Sequence, residues 1–234
     1  MRLPRRVEPE MLDVLPKADP RAIRSRQDLR RINRVMATRS ILCRAIGAAT
    51  RGTPPRRIVE LGAGDGTMLL KLARRRGAQW TGVDATIVDR QDLIGSETRQ
   101  GFEALGWKLR VVARDVFEWV DEADPVPYDL VLANLFLHHF AGEALGRLLS
   151  GIAARGIAFV ACEPRRAATA LFGSHLVGLL GCNAVTRNDA VLSVHAGFRD
   201  AELTAAWPET QSWDIDEYPA GLFSHCFLAR RRPE

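Results

Sequence analysis

The sequence predicts an α/β fold on a mostly parallel, seven-stranded sheet, closed by an antiparallel hairpin and preceded by helices. Ile58 to Thr67 runs from a short apolar strand through glycines at every second position into the apolar periodicity of a helix. Beyond it, short β-branched runs alternate with amphipathic stretches as far as Cys162, the pattern of repeated strand-helix-strand units. Trp213 to Tyr218 and His225 to Ala229 then flank a Pro219-Ala-Gly221 turn and read as a hairpin. At 234 residues and 47% hydrophobic content the chain can bury a full core. We divide it into an arm with helices at 1–56 and a main domain at 57–234, with an insertion at 165–200.

Each element has a local cause. Residues 1–20 carry four prolines and no clear periodicity, so an irregular arm without chemistry is expected. From Arg21 to Ala49, Ile23, Leu29, Ile32, Leu42 and Ile46 recur at helical spacing, which predicts one or two amphipathic helices. Gly52, Pro54 and Pro55 break the chain before the first strand. A helix follows over 67–76, and Gln79 to Asp84 reads as a second strand ending in an acid. Residues 87–105 read as helical, weakened by Gly95 and Gly101. Lys108 to Ala113 is the third strand, Pro125 to Pro127 a turn, and Tyr128 to Leu135 a strongly apolar fourth strand. A helix at Gly142 to Arg155 and a fifth strand at Gly156 to Cys162 complete the core, with Glu163 just beyond.

The spacing of the glycines narrows the ligand. Glycine is needed where the backbone takes a positive φ or lies against a bound molecule. The dinucleotide fingerprint is GxGxxG with pyrophosphate on the following helix, whereas here Gly62, Gly64 and Gly66 alternate, with Glu60 before them and Asp65 inside the turn. Carboxylates repel a pyrophosphate but suit a ligand carrying a cationic amino group. Asp84 follows Gly66 at close to the roughly 20 residues at which an acid meets a ribose in doubly wound folds.

Glu60, Gly62, Gly64 and Gly66 match the (Asp/Glu)xGxGxG motif position for position, and here the chain resembles class I S-adenosylmethionine (SAM) dependent methyltransferases. The resemblance implies a Rossmann-like methyltransferase fold and SAM as the methyl donor. It extends over residues 58–140 through Asp84, through Asp115 after the third strand, and through Leu137-His-His-Phe140 after the fourth. Carried over residue by residue, Glu60, Gly62, Ala63, Gly64 and Gly66 form the donor turn, and Asp84 with Ala85 meets the ribose. Asp115 with Val116 meets the adenine, and Asn134 borders the donor at the end of the fourth strand. The helices at 21–50 correspond to a lid or to helices packed on the sheet, and 165–200 to acceptor-binding elements. His138 and His139 are the candidate general bases, since a neutral imidazole with pKa of about 6.5 suits proton removal from a hydroxyl at pH 7. Glu163 could orient one of them.

Composition excludes several classes. The net charge of +5 comes from arginines scattered over 2–57, 74–76 and 230–232 without interleaved aromatics, which argues against a nucleic-acid partner. Cys43, Cys162, Cys182 and Cys226 form no CxxC pair, so reduced, mostly buried thiols are expected. No His and carboxylate cluster has a recognisable ligand spacing, so no metal is expected. There is no membrane-length apolar run and no secretory signal, which reads as a cytoplasmic protein, and a homodimer is left open. The loop after the fourth strand lacks the Asn/Asp-Pro-Pro-Tyr run of base-amino methyltransferases and has no cysteine nucleophile. The resemblance therefore points to small phenolic or quinone-like hydroxyl acceptors, against an RNA or protein methyltransferase or a non-catalytic SAM-fold binding protein.

Overall fold

The computed structural model describes residues 3–77, 79–122 and 126–233. In chain order it contains α1 (Met11–Val14), α2 (Pro20–Val35), α3 (Thr38–Ala49), β1 (Arg57–Leu61), α4 (Thr67–Arg76), β2 (Asp84–Asp89), α5 (Ser96–Glu103) and β3 (Lys108–Ala113). There follow α6 (Val116–Asp121), β4 (Leu130–Asn134), α7 (Gly142–Arg155), β5 (Ala158–Pro164), α8 (Ala168–His175), α9 (Ala184–Ala196), α10 (Glu202–Ala206), β6 (Trp213–Ala220) and β7 (Ser224–Arg231). Pro125 of the expected turn, and Met1 and Arg2 of the arm, lie outside the described residues.

The seven strands form one sheet in the order β3-β2-β1-β4-β5-β7-β6. β1 to β5 are mutually parallel, and β7 runs antiparallel between β5 and β6. Both faces are covered. Ile58, Leu130 and Val160 pack with α3, α4 and α5, while Val59, Val131 and Phe159 pack with α6, α7 and α10. Strand order reverses between β1 and β4, and the crevice beyond the carboxyl ends of these strands is where an open α/β sheet binds ligands.

Two expectations are corrected. The second strand is Asp84–Asp89, not 79–84, and Asp84 pairs in register with Arg57 at the start of β1. Gly82, at φ 63°, breaks the chain before it, and the uninterrupted Ala85-Thr-Ile-Val88 run forms the buried strand. The helix after β2 is also shorter than 87–105, beginning at Ser96.

The arm is not featureless. Asp189 accepts from the backbone N–H groups of Met11 (2.9 Å) and Leu12 (3.0 Å), and the Arg5 guanidinium donates to the carbonyls of Ala196 and Phe140 at 2.8 Å each. The arm is thereby laid against α9 and the loop after β4. The two helices of 20–49 divide the readings weighed for them. α3 is packed on the sheet through Ile41, Leu42, Ala45 and Ile46, whereas α2 lies over the crevice, its Arg30 paired at 2.6 Å with Asp65 in the glycine turn.

Candidate active site

The glycine turn leaves β1 at its carboxyl end, and its three glycines meet two different demands. All have positive φ, 63° at Gly62, 56° at Gly64 and 69° at Gly66. A Cβ on Gly62 would stand 2.1 Å from the Phe136 ring, and one on Gly66 would stand 2.8 Å from Ile87. Those two are glycines because the protein's own side chains come close. At Gly64 a Cβ would meet nothing within 4 Å, and that open space belongs to a cavity of about 530 Å³.

The cavity is lined by Gly62, Gly64, Asp89, Asp115 and Val116 together with His138 and His139. Asp89 closes β2. Its carboxylate accepts from Gly64 N–H at 2.9 Å and Gln91 N–H at 3.1 Å, which ties the second strand to the turn. Asp115 caps α6, accepting from Phe117 N–H at 2.8 Å. The remaining expected donor residues lie elsewhere. Asp84 is exposed at the opposite end of β2, 4.0 Å from Lys108, and Ala85 is sealed in the core. Ala63 packs against the core beneath the turn. Asn134 ends β4 with its Oδ1 buried and without a hydrogen-bond partner among the described residues.

Glu60 is buried under the turn and does not line the cavity. Burial, with the charges of Asp65 and Asp89 adding to it, pushes its carboxyl up to about 8. It is therefore mostly protonated at pH 7.

The loop after β4 brings His138 and His139 to the cavity. Leu135 takes a left-handed conformation at φ 53° and turns the chain out of the strand. The Glu163 carboxylate, fully buried on β5, then gathers the loop, accepting from the N–H groups of Phe136 at 3.1 Å and Leu137 at 2.9 Å. It also lies 2.8 Å from His138 Nδ1. On the other side of the same ring, Nε2 is 3.3 Å from Glu10 of the arm, 128 residues away in sequence. Burial alone would lower the His138 pKa, but the hydrogen bonds and charges of Glu10 and Glu163 outweigh it and raise it to about 9. The raised pKa favours the imidazolium form of His138, held between Glu10 and Glu163.

His139 is in the opposite state. Its ring centroid lies 4.2 Å from that of His138, the planes tilted by 33°, and its Nδ1 is 3.3 Å from Asp13 Oδ2. Burial and the positive charge of His138 both lower its pKa. A neutral imidazole thus lines the cavity next to a charged one. The arm that sequence reading left without chemistry supplies a carboxylate to each. Glu10, His138 and His139 also bring their donor atoms within 4.8 Å of one another, a cluster that spacing could not reveal because Glu10 arrives from another part of the fold. The cysteines are free, three buried and Cys43 partly so.

A second cavity of about 330 Å³ adjoins the first, Glu10, Leu12, Leu29, Leu135 and Ser193 lining both. Its walls come from α2 (Ile32, Val35) with the following Met36 and from the 168–194 segment, including Ala170, Leu176, Val177 and Leu179. The helix read as a lid and the segment read as an insertion meet around it.

A family model described as a methyltransferase domain matches residues 29–170. No curated protein sequence matches the chain. Among solved structures it is similar to the plantazolicin methyltransferase BpumL in complex with SAH, with 14% identity, 92% of each chain covered and a TM-score of 0.64. It is similar to an O-methyltransferase family protein from Burkholderia thailandensis, with 16% identity and a TM-score of 0.61 over 92% of this chain and 60% of that one. For the magnesium protoporphyrin IX methyltransferase ChlM from Synechocystis PCC 6803 with bound SAH, the values are 14% identity, a TM-score of 0.56, and 94% and 91% coverage. At these identities the likeness is one of fold.

Proposed function

We propose, on the premise that this chain belongs to the methyltransferase-domain family, that it moves a methyl group from SAM to the hydroxyl of a small phenolic or quinone-like acceptor. The observation that carries this reading is the meeting of three parts at the switch point of the sheet: an acid-lined cavity over Gly64, a neutral histidine beside a charged one, and an adjoining apolar cavity.

The residues fit the donor. Gly64 leaves its backbone open to the cavity, and Asp89, in place of Asp84, takes the ribose role. A carboxylate offers about four acceptor sites, so its bonds to Gly64 and Gln91 leave capacity for hydroxyls. Asp115 and Val116 take the adenine end. When bound, the donor supplies a methyl group on a sulfonium that leaves as a neutral thioether.

The rest falls to the chain. In-line approach of donor and acceptor accounts for much of the rate, because positioning alone removes several kcal/mol of barrier. His139 takes the acceptor proton as the methyl–oxygen bond forms, and Asp13 at 3.3 Å steadies the resulting imidazolium. His138 is a positioning residue. Held between Glu10 and Glu163, it fixes the loop and keeps its neighbour unprotonated.

Calorimetric titration with SAM tests the donor site. Asp89→Ala is expected to weaken binding at least about tenfold, the effect of one lost charge-assisted contact, and Asp84→Ala to leave it unchanged. Equal behaviour of the two variants, or no binding by the wild type, would overturn the assignment.

A further inference from the structure

We propose that the acceptor is an amphiphile whose hydrocarbon tail fills the apolar cavity, and that the protein draws it from an anionic lipid bilayer through the cavity's exposed mouth. The proposal rests on the methyltransferase reading only for what happens at the head group.

The walls admit little besides hydrocarbon. The polar side chains among them are already spent on the protein. Thr186 Oγ1 donates to Ser25 Oγ at 2.8 Å, Ser174 Oγ to the Leu171 carbonyl at 2.8 Å, and Ser193 Oγ to Glu10. Asp189 accepts from the backbone of the arm. A polar ligand entering here would lose water and gain no partner, at a cost of a few kcal/mol per buried group, whereas each buried methylene contributes about 0.8 kcal/mol. The boundary it shares with the histidine cavity carries Glu10 and Ser193 beside Leu12, Leu29 and Leu135. A head group there and a tail behind it match the two environments.

The mouth is itself unusual. Val35, Leu176 and Leu179 line the cavity and yet are exposed, Leu179 by 82%. Phe172 on α8, four residues before Leu176, is 68% exposed, and Leu222 beside the wall residue Phe223 is also exposed. Soluble proteins seldom leave such a cluster open unless it binds something.

A cationic collar says what kind of surface. Arg31 and Arg24 donate to the carbonyls of Leu180 and Gly181, Arg187 lies against Gly178, and Arg165 donates to the Gly221 carbonyl. Buried Asp28 offsets one of the two charges of Arg24 and Arg31. Apolar side chains ringed by arginines are the chemistry that sits at an anionic headgroup layer.

The test has two arms, run on the full chain. Binding of 4-alkylphenols in the presence of S-adenosylhomocysteine should tighten about fourfold per added methylene until the cavity is full. No dependence on chain length overturns the tail site. Co-sedimentation with phosphatidylglycerol-containing vesicles should exceed that with pure phosphatidylcholine vesicles. It should fall at least tenfold in Phe172→Ser/Leu179→Ser, whose exposed positions spare the fold. Absent or unchanged association overturns the bilayer, as does a dimer in sedimentation velocity that this variant dissociates. Tail and vesicle binding without any SAM binding would instead mark failure of the methyltransferase reading.

Discussion

Residue by residue, the site shows that identical amino acids in one motif answer to different neighbours. Gly62→Ala drives a Cβ into the Phe136 ring, so we expect a stability loss of about 1–3 kcal/mol from overpacking in addition to strain at positive φ. Gly64→Ala meets no protein atom. It should cost only about 1–2 kcal/mol but lose donor affinity, because its Cβ enters the cavity. Denaturant melts beside SAM titration separate the two, and equal donor affinity in Gly64→Ala and wild type would count against that placement. The histidines diverge in the same way. His139→Ala should lower kcat by about 10²–10⁴. The wild-type rate should already be level at neutral pH, since the His139 pKa is lowered, and should decline toward pH 9 as His138 loses its proton. Steady-state pH profiles check both limbs.

Among the elements, the arm, α2 and α9 stand or fall together. Buried Asp28 on α2 accepts from Asn183 N–H at 2.8 Å just before α9, and Asp189 on α9 holds α1. The arm in turn delivers Glu10 and Asp13 to the histidines. Asp189→Ala removes both acceptors from the α1 backbone while touching nothing in the donor cavity. It should therefore reduce kcat by about tenfold or more and raise hydrogen exchange in residues 3–14, which opens locally while the core stays closed. The SAM dissociation constant should not change. A variant with wild-type exchange in the arm and a lowered kcat would place Asp189 in another role. No described helix is long and apolar enough to cross a membrane, and the proposed bilayer contact rests on exposed side chains of α8 and its neighbours.

Over the whole molecule, two buried groups make stability fall with rising pH. His138 is raised from 6.5 to about 9, so its contribution, roughly 3 kcal/mol at about 1.4 kcal/mol per unit, is complete below pH 6.5 and is lost as pH climbs through 9. Glu60 is raised from 4.5 to about 8, and each unit of pH between those values costs the folded state about 1.4 kcal/mol. Glu60→Gln should remove the second slope. The variant should melt above the wild type at pH 8 and close to it at pH 5, and a wild-type melting temperature constant from pH 5 to 8 would refute the shift. What the sequence by itself determined is the order of strands and helices, the parallel core with its closing hairpin, and the glycine turn at the carboxyl end of β1. Those follow from apolar periodicity, breakers and glycine spacing, all of which act over a few residues. Only the tertiary structure decided which of the acids at the two ends of Ala85 to Val88 faces the cavity, because that depends on where β2 starts in register with β1. It also decided that Glu10 reaches His138 and that two adjacent histidines carry different charges. Burial and long-range pairing set those properties, and neither is written in the spacing of neighbouring residues.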